Sequence, residues 1–212
     1  LKPEFKSFVG MHPIPIAHGL TVGELAQMIN GEGWLAGGKK CDLEIVRVKF
    51  WKHGDPYQLP IMPSPNLTSN HAINLYPYTC LFEGTALSIG RGTKNPFEQM
   101  GHPDLKDMPH QFTPVTIEGM SKNPPHEGKV CYGLDLRNEQ PERKISLKYL
   151  IQLYNAFPDK EKFFTPYIDK LSGTAEFKEQ IKKGMTEDEI RATWQKDLEA
   201  YKAMRKKYLL YP

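Results

Sequence analysis

A change of texture near residue 145 constrains the fold of this chain more than any single motif does. Before Arg143 the apolar residues come in short runs broken by Pro, Gly and Asn; after Ser146 they recur at helical spacing. Ser146 can cap a helix whose apolar positions Leu147, Leu150, Ile151 and Tyr154 share one face, and Pro158 marks its end. Thr186 and Glu189 form a capping-box pattern ahead of Ile190, Trp194, Leu198, Tyr201 and Tyr208, a long amphipathic stripe. A shorter helix over residues 174–183 stops at Gly184.

The first two thirds read as strands joined by long, ordered loops. Thr21 and Glu24 form a second capping box, predicting a helix over residues 22–30 directly after the loop from His12 to Gly19 and giving Glu24 a structural role. The best strands are residues 43–51 and 130–137. In the second, Val130, Tyr132, Leu134 and Leu136 alternate with Cys131, Gly133, Asp135 and Arg137, the pattern of a half-buried strand. In the first, Leu43 and Ile45 face one way and Val46, Val48 and Phe50 the other, which predicts burial on both faces or a bulge near Ile45. The expected fold is α/β (α+β): a mixed β-sheet covered by helices, in one domain spanning residues 1–212, strand- and loop-rich over 1–143 and helical over 144–212.

At 212 residues, 39% hydrophobic and 11% aromatic, the chain can bury a core. A chain of this size buries roughly 70% of its unfolded surface, enough for one ordinary core or two small ones. Lys plus Arg number 28 against 25 Asp plus Glu, and even residues 159–212 balance 12 basic against 10 acidic side chains. Nothing here makes a nucleic-acid face or a polybasic membrane segment. No apolar run approaches the roughly 20 residues of a membrane span, and no signal peptide opens the chain. The chain opens at Leu1, and Phe8-Val9-Gly10 already looks structured, so a targeting segment is expected upstream. Cys41, Cys80 and Cys131 are widely separated, reading as free thiols. The spacing of His53, His71, His102, His110 and His126 matches no metal-binding motif, and no cofactor is expected.

Residues 81–98, LFEGTALSIGRGTKNPFE, read as a site. Glu83-Gly84-Thr85 and Gly90-Arg91-Gly92-Thr93 should form turns at either end of the strand-like Ala86, Leu87, Ser88 and Ile89. Glu83 can act as acid, base or hydroxyl acceptor, or be held by Arg91; Arg91 can clamp a carboxylate, or close a structural ion pair. His18, before the capped helix, can touch a ligand or tie down its loop, and Asn66 in Pro63-Ser64-Pro65-Asn66 can offer its amide to sugar hydroxyls or simply make a turn. GRGT lacks the lysine and the strand-loop-helix context of a phosphate-binding loop.

The succession SFVGMHPIPIAHGLTVGELA, PSPN, LFEGTALSIGRGTKNPFE and RKKYLLYP resembles the C-terminal half of the NamZ/YbbC family of exo-β-N-acetylmuramidases. The resemblance implies an exo-acting glycoside hydrolase that releases terminal N-acetylmuramic acid from peptidoglycan fragments outside the cytoplasm, in the periplasm or beyond. It implies a cleft between an N-terminal Rossmann-like domain, expected but absent from this chain, and the domain read here. Its main catalytic acid is expected in that other half, so this chain alone should be inactive. The family's EGTN motif reads EGTA here, with Ala86 in place of asparagine. Arg91 would then pair with the lactyl carboxylate that distinguishes muramic acid from glucosamine. Glu83, Asn66, His18, Thr85 and Thr93 would line the sugar side, with Glu83 the catalytic candidate. The alternatives are a non-catalytic sugar-binding module and a structural interdomain module.

Overall fold

The computed structural model describes residues 1–212. Helix α1 (Val22–Gly31) is followed, after a long irregular stretch, by α2 (Asn70–Thr79) and a tight turn over Cys80–Gly84. Three strands come next, β1 (Gln99–His102), β2 (His110–Phe112) and β3 (Cys131–Asp135). Helices α3 (Lys148–Ala156), α4 (Lys160–Phe163), α5 (Tyr167–Ser172), α6 (Glu176–Lys182) and α7 (Glu187–Arg205) complete the chain. The α/β class and the helical C-terminal third agree with the sequence.

The sheet is smaller than expected and antiparallel throughout, in the order β1-β3-β2. Its central strand is the one expected over residues 130–137. Gly101 and Gly133 lie opposite each other in β1 and β3, and a Cβ on Gly133 would fall 1.9 Å from the Met100 carbonyl oxygen. Glycine here lets two backbones approach more closely than any side chain would permit.

The other expected strand does not form. Residues 43–51 carry no ladder, and Val46, Val48 and Phe50 point outward, Phe50 being fully exposed. Strand-forming side chains do not make a strand without a partner edge, and none lies beside them. The segment is instead strapped to the C-terminal tail: the Val48 N–H donates to the Tyr211 hydroxyl at 3.0 Å, and Arg47 donates to the Leu210 carbonyl at 3.2 Å. Conversely, α2 emerges from a region read as loops and strands. Ser69 caps it by accepting from the Ala72 N–H at 2.9 Å, and Pro77 sits in its last turn.

The main core draws only on residues from Ala72 to Ile190, where Phe82, Phe163, Leu75, Leu153 and Ile168 are fully buried. Residues 18–32 pack instead against the far end of α7 and the turn that follows it. There the Tyr201 hydroxyl donates to the His18 carbonyl at 2.7 Å, Arg205 donates to the Gly19 carbonyl, and the Tyr208 hydroxyl donates to Glu32 at 2.7 Å.

Both capping boxes form. At α7, the Thr186 hydroxyl accepts from the Glu189 N–H at 3.3 Å while the Glu189 carboxylate accepts from the Thr186 N–H at 2.8 Å. Thr186→Ala should therefore destabilise the chain by about 1 kcal/mol in a denaturant titration, the usual effect of losing such a cap. At α3, Ser146 sits one residue outside the N-cap Leu147 and accepts from the Lys148 N–H at 3.2 Å. No helix is long and apolar enough to cross a membrane.

Candidate functional site

The turns expected at the two ends of residues 81–98 form and bring Glu83 and Arg91 together. Glu83 sits on the Cys80–Gly84 turn, against which α5 packs so closely that a Cβ on Gly84 would lie 2.6 Å from the Ile168 Cα. Residues 86–89 run extended beside β1, joined by paired bonds between Ser88 and Gly101 at 2.8 and 2.9 Å. The chain then turns through Gly90 and Gly92, whose φ angles of 76° and 80° favour glycine. A Cβ on Gly92 would meet Pro124 and the Val115 carbonyl at 2.5 Å. Arg91 thus projects from a turn held by close packing.

Arg91 Nη2 donates to Glu83 Oε2 at 3.1 Å, and the two side chains keep 31% and 27% of their surface exposed. This is the only hydrogen bond Arg91 makes within the chain, so four of the five guanidinium N–H donors remain for a ligand. Beneath it lies Phe97, with the guanidinium carbon 5.0 Å from the ring centroid. Phe97 is buried and has a φ of 64°, unusual for a bulky residue, which turns its ring into this position. Tyr76 of α2 packs on Phe97 at 5.3 Å, and burial, then the neighbouring Glu83 charge, push its phenol up to about 12. Its hydroxyl is therefore protonated at neutral pH and able to donate. Neither Phe97 nor Tyr76 stood out in the sequence; only the backbone conformation of Phe97 distinguishes it from an ordinary core aromatic.

Asn66 is nearly buried. Its Nδ2 donates to the Met120 carbonyl at 2.9 Å, while its Oδ1 has no partner in the chain. That oxygen is closed off from the surface, so Asn66 serves to hold its turn against Met120 and not to present an open acceptor. The two threonines are engaged internally. Thr85, nearly buried, donates to the Phe82 carbonyl at 2.7 Å and accepts from the Leu87 N–H at 3.2 Å. Thr93 donates to the Gly90 carbonyl at 2.7 Å and accepts from Asn95 N–H and Gln99 Nε2 at 3.1 and 2.7 Å. Both shape the loop that carries the pair. Ala86, next to Thr85, offers its carbonyl to His126 Nε2 at 2.7 Å.

His18 lies apart from the pair, against α7. Its Nδ1 accepts from the Leu20 N–H at 3.2 Å, and burial, then nearby Arg205, lower its pKa. It is therefore neutral at pH 7 and ties down its own loop. A cavity of about 430 Å³ lies between the loop at Ile14–Ile16 and the Phe177 and Trp194 faces of α6 and α7, and none of the six candidate residues lines it. The Glu83–Arg91 pair lies outside that cavity and is partly exposed.

Two family models match the chain. The one described as "Exo-beta-N-acetylmuramidase NamZ, C-terminal" covers residues 74–211, and its N-terminal counterpart covers residues 1–71. Their boundary falls inside α2, where the main core begins, so the segment that packs against the far end of α7 corresponds to the N-terminal model. The chain is 35% identical to the peptidoglycan β-N-acetylmuramidase NamZ of Bacillus subtilis (strain 168), over all of this chain and 55% of that protein. The crystal structure of a DUF1343 family protein from Bacteroides fragilis NCTC 9343 superposes with a TM-score of 0.96 at 46% identity, over all of this chain and 61% of that one. A second Bacteroides fragilis protein of that family shares the fold, with a TM-score of 0.79 at 24% identity. The chain spans little more than half the length of these relatives.

Proposed function

Because this chain belongs to the NamZ family of exo-β-N-acetylmuramidases, a family of glycoside hydrolases, we propose that it forms one wall of a site releasing terminal N-acetylmuramic acid from peptidoglycan fragments. The observation that carries this reading is the open guanidinium of Arg91, with one donor held by Glu83 and the rest free above Phe97. Muramic acid differs from its glucosamine neighbour by a lactyl ether whose carboxylate is ionised at neutral pH. A planar, permanently charged fork recognises such a group bidentately, and selects muramic acid for a charge that glucosamine lacks. The Tyr76 hydroxyl, beside Phe97, supplies a donor for the sugar's hydroxyl and acetamido groups.

Glycoside hydrolysis ordinarily uses two carboxylates, and the pair supplies one. Glu83 Oε2 accepts from Arg91, which leaves Oε1 to accept from a sugar hydroxyl. We therefore assign Glu83 to substrate binding and the principal acid to a part of the longer protein outside this chain, so that the chain alone binds without hydrolysing. We propose with it an extracytoplasmic or periplasmic setting, where peptidoglycan lies.

Glu83→Gln in the full-length protein tests the assignment. We expect KM for a muramic acid glycoside to rise several-fold with kcat changed less than tenfold. A fall in kcat of several orders of magnitude at unchanged KM would make Glu83 the acid or nucleophile instead. The one-carboxylate pair also favours a second reading, a sugar-binding module with no catalytic share; unchanged kcat and KM would exclude Glu83 from both.

A further inference from the structure

Behind the Arg91 turn, side chains from β1 and β2 form a hydrogen-bonded chain that ends on the turn itself. Thr93 has one hydroxyl hydrogen, which it donates to the Gly90 carbonyl at 2.7 Å, so it can only accept from Gln99 Nε2, also at 2.7 Å. Gln99 is nearly buried, and its amide orientation is thereby fixed, with Oε1 toward His110 Nε2 at 2.7 Å. An amide oxygen accepts, so His110 must carry its proton on Nε2. The donors therefore all point one way, from His110 through Gln99 and Thr93 to the carbonyl just before Arg91. The far end lies beside β3: His110 Nδ1 is 3.8 Å from Asp135, which Arg137 grips through Nε at 2.8 Å and Nη2 at 2.6 Å.

Gln99 comes from β1, His110 from β2 and the neighbouring Asp135 from β3. We propose that Gln99 and His110 are positioning residues, which touch no ligand but hold the Gly90-Arg91-Gly92 turn in the left-handed conformation that aims the guanidinium outward. The turn's own backbone needs such support. Gly90 and Gly92 are the residues with the most conformational freedom to lose, and beyond this hydrogen-bonded series the turn has the close packing at Gly92 and single backbone bonds, such as Val115 N–H to the Gly92 carbonyl at 2.9 Å. A sheet too small to be the main core thereby acquires a role as a brace.

The proposal rests on Arg91 as the recognition residue, and its test separates the two. Amide hydrogen exchange is measured on the 212-residue chain for Thr93 and Val115, whose N–H groups bond to Gly90 and Gly92, and for α7 as a reference. Titration with free N-acetylmuramic acid and its methyl ester accompanies it. Gln99→Leu should speed exchange at Thr93 and Val115 at least tenfold with α7 unchanged, and should shrink the preference for the acid over the ester. His110→Phe, which keeps a ring but loses the donor, should act in the same direction more weakly; Thr93→Ser should behave as wild type. Unchanged exchange at the turn in Gln99→Leu overturns the brace, as does acceleration spread equally through α7. Absence of any acid preference in the wild type would sink the carboxylate reading, while the exchange data alone would still decide the brace.

Discussion

Glu24→Gln should lower the stability of the chain by about 3 kcal/mol at pH 7 and flatten its acid-unfolding curve. Glu24 is completely buried, and both of its oxygens are used. Oε2 accepts from the Thr21 N–H at 2.7 Å, and Oε1 accepts from the Leu210 N–H at 2.7 Å and faces His53 Nε2 at 2.9 Å. One carboxylate thus closes the α1 capping box and pins the C-terminal tail and the loop at His53 to it. Burial alone would raise its pKa; the Thr21 amide, His53 and the Leu210 amide outweigh that and hold it at about 2. A carboxyl depressed from 4.5 to about 2 contributes stability that is complete above the unfolded value and is lost as pH falls from 4.5 toward 2. A fall from 4.5 to about 2, at roughly 1.4 kcal/mol for each tenfold in proton affinity, sets the scale of that loss. Glutamine keeps the shape but turns an NH₂ toward an N–H, donor against donor, so it cannot substitute. Chemical denaturation from pH 7 to pH 2.5 checks this: a parallel decline in wild type and variant would refute the linkage.

The second large effect concerns selectivity. In the full-length protein, Arg91→Ala should lower kcat/KM for a muramic acid glycoside roughly 30- to 100-fold, the equivalent of about 2–3 kcal/mol for a charge-assisted pair, while activity on the glucosamine analogue falls much less. Arg91→Lys should recover only part of the loss, because an ammonium keeps the charge without the planar fork. The Phe97 ring and the Glu83 contact are matched to a guanidinium in the same way. Equal losses on both substrates would assign Arg91 to the scaffold of its loop rather than to the lactyl group.

What could be read from the sequence was what is local. The capping boxes at Thr21 and Thr186 and the stop at Gly184 are settled within four residues, and the structure keeps them. Residues 43–51 went wrong because alternation reports an extended, apolar segment, whereas a strand needs an edge to pair with. Helix α2 was hidden by Pro77, which in the last turn costs little that the cap at Ser69 and the burial of Leu75 and Tyr78 do not offset. At the site, the glycines around Arg91 announced a special turn, and the Glu83 contact followed from two turns meeting. Thr85 and Thr93 looked like ligand contacts because a hydroxyl's partners are invisible in sequence; here both are internal. Tyr76 and Phe97 could not be read, since their role depends on which way a buried ring is turned.

The most direct measurement on the central claim follows the Arg91 Nε–H resonance of the 212-residue chain during titration with N-acetylmuramic acid and with its methyl ester, which keeps the lactyl group but removes its charge. The account predicts that the acid shifts this resonance and binds at least tenfold more tightly than the ester, and that Arg91→Ala erases the difference. Equal affinity for acid and ester, or a difference that survives Arg91→Ala, would contradict it.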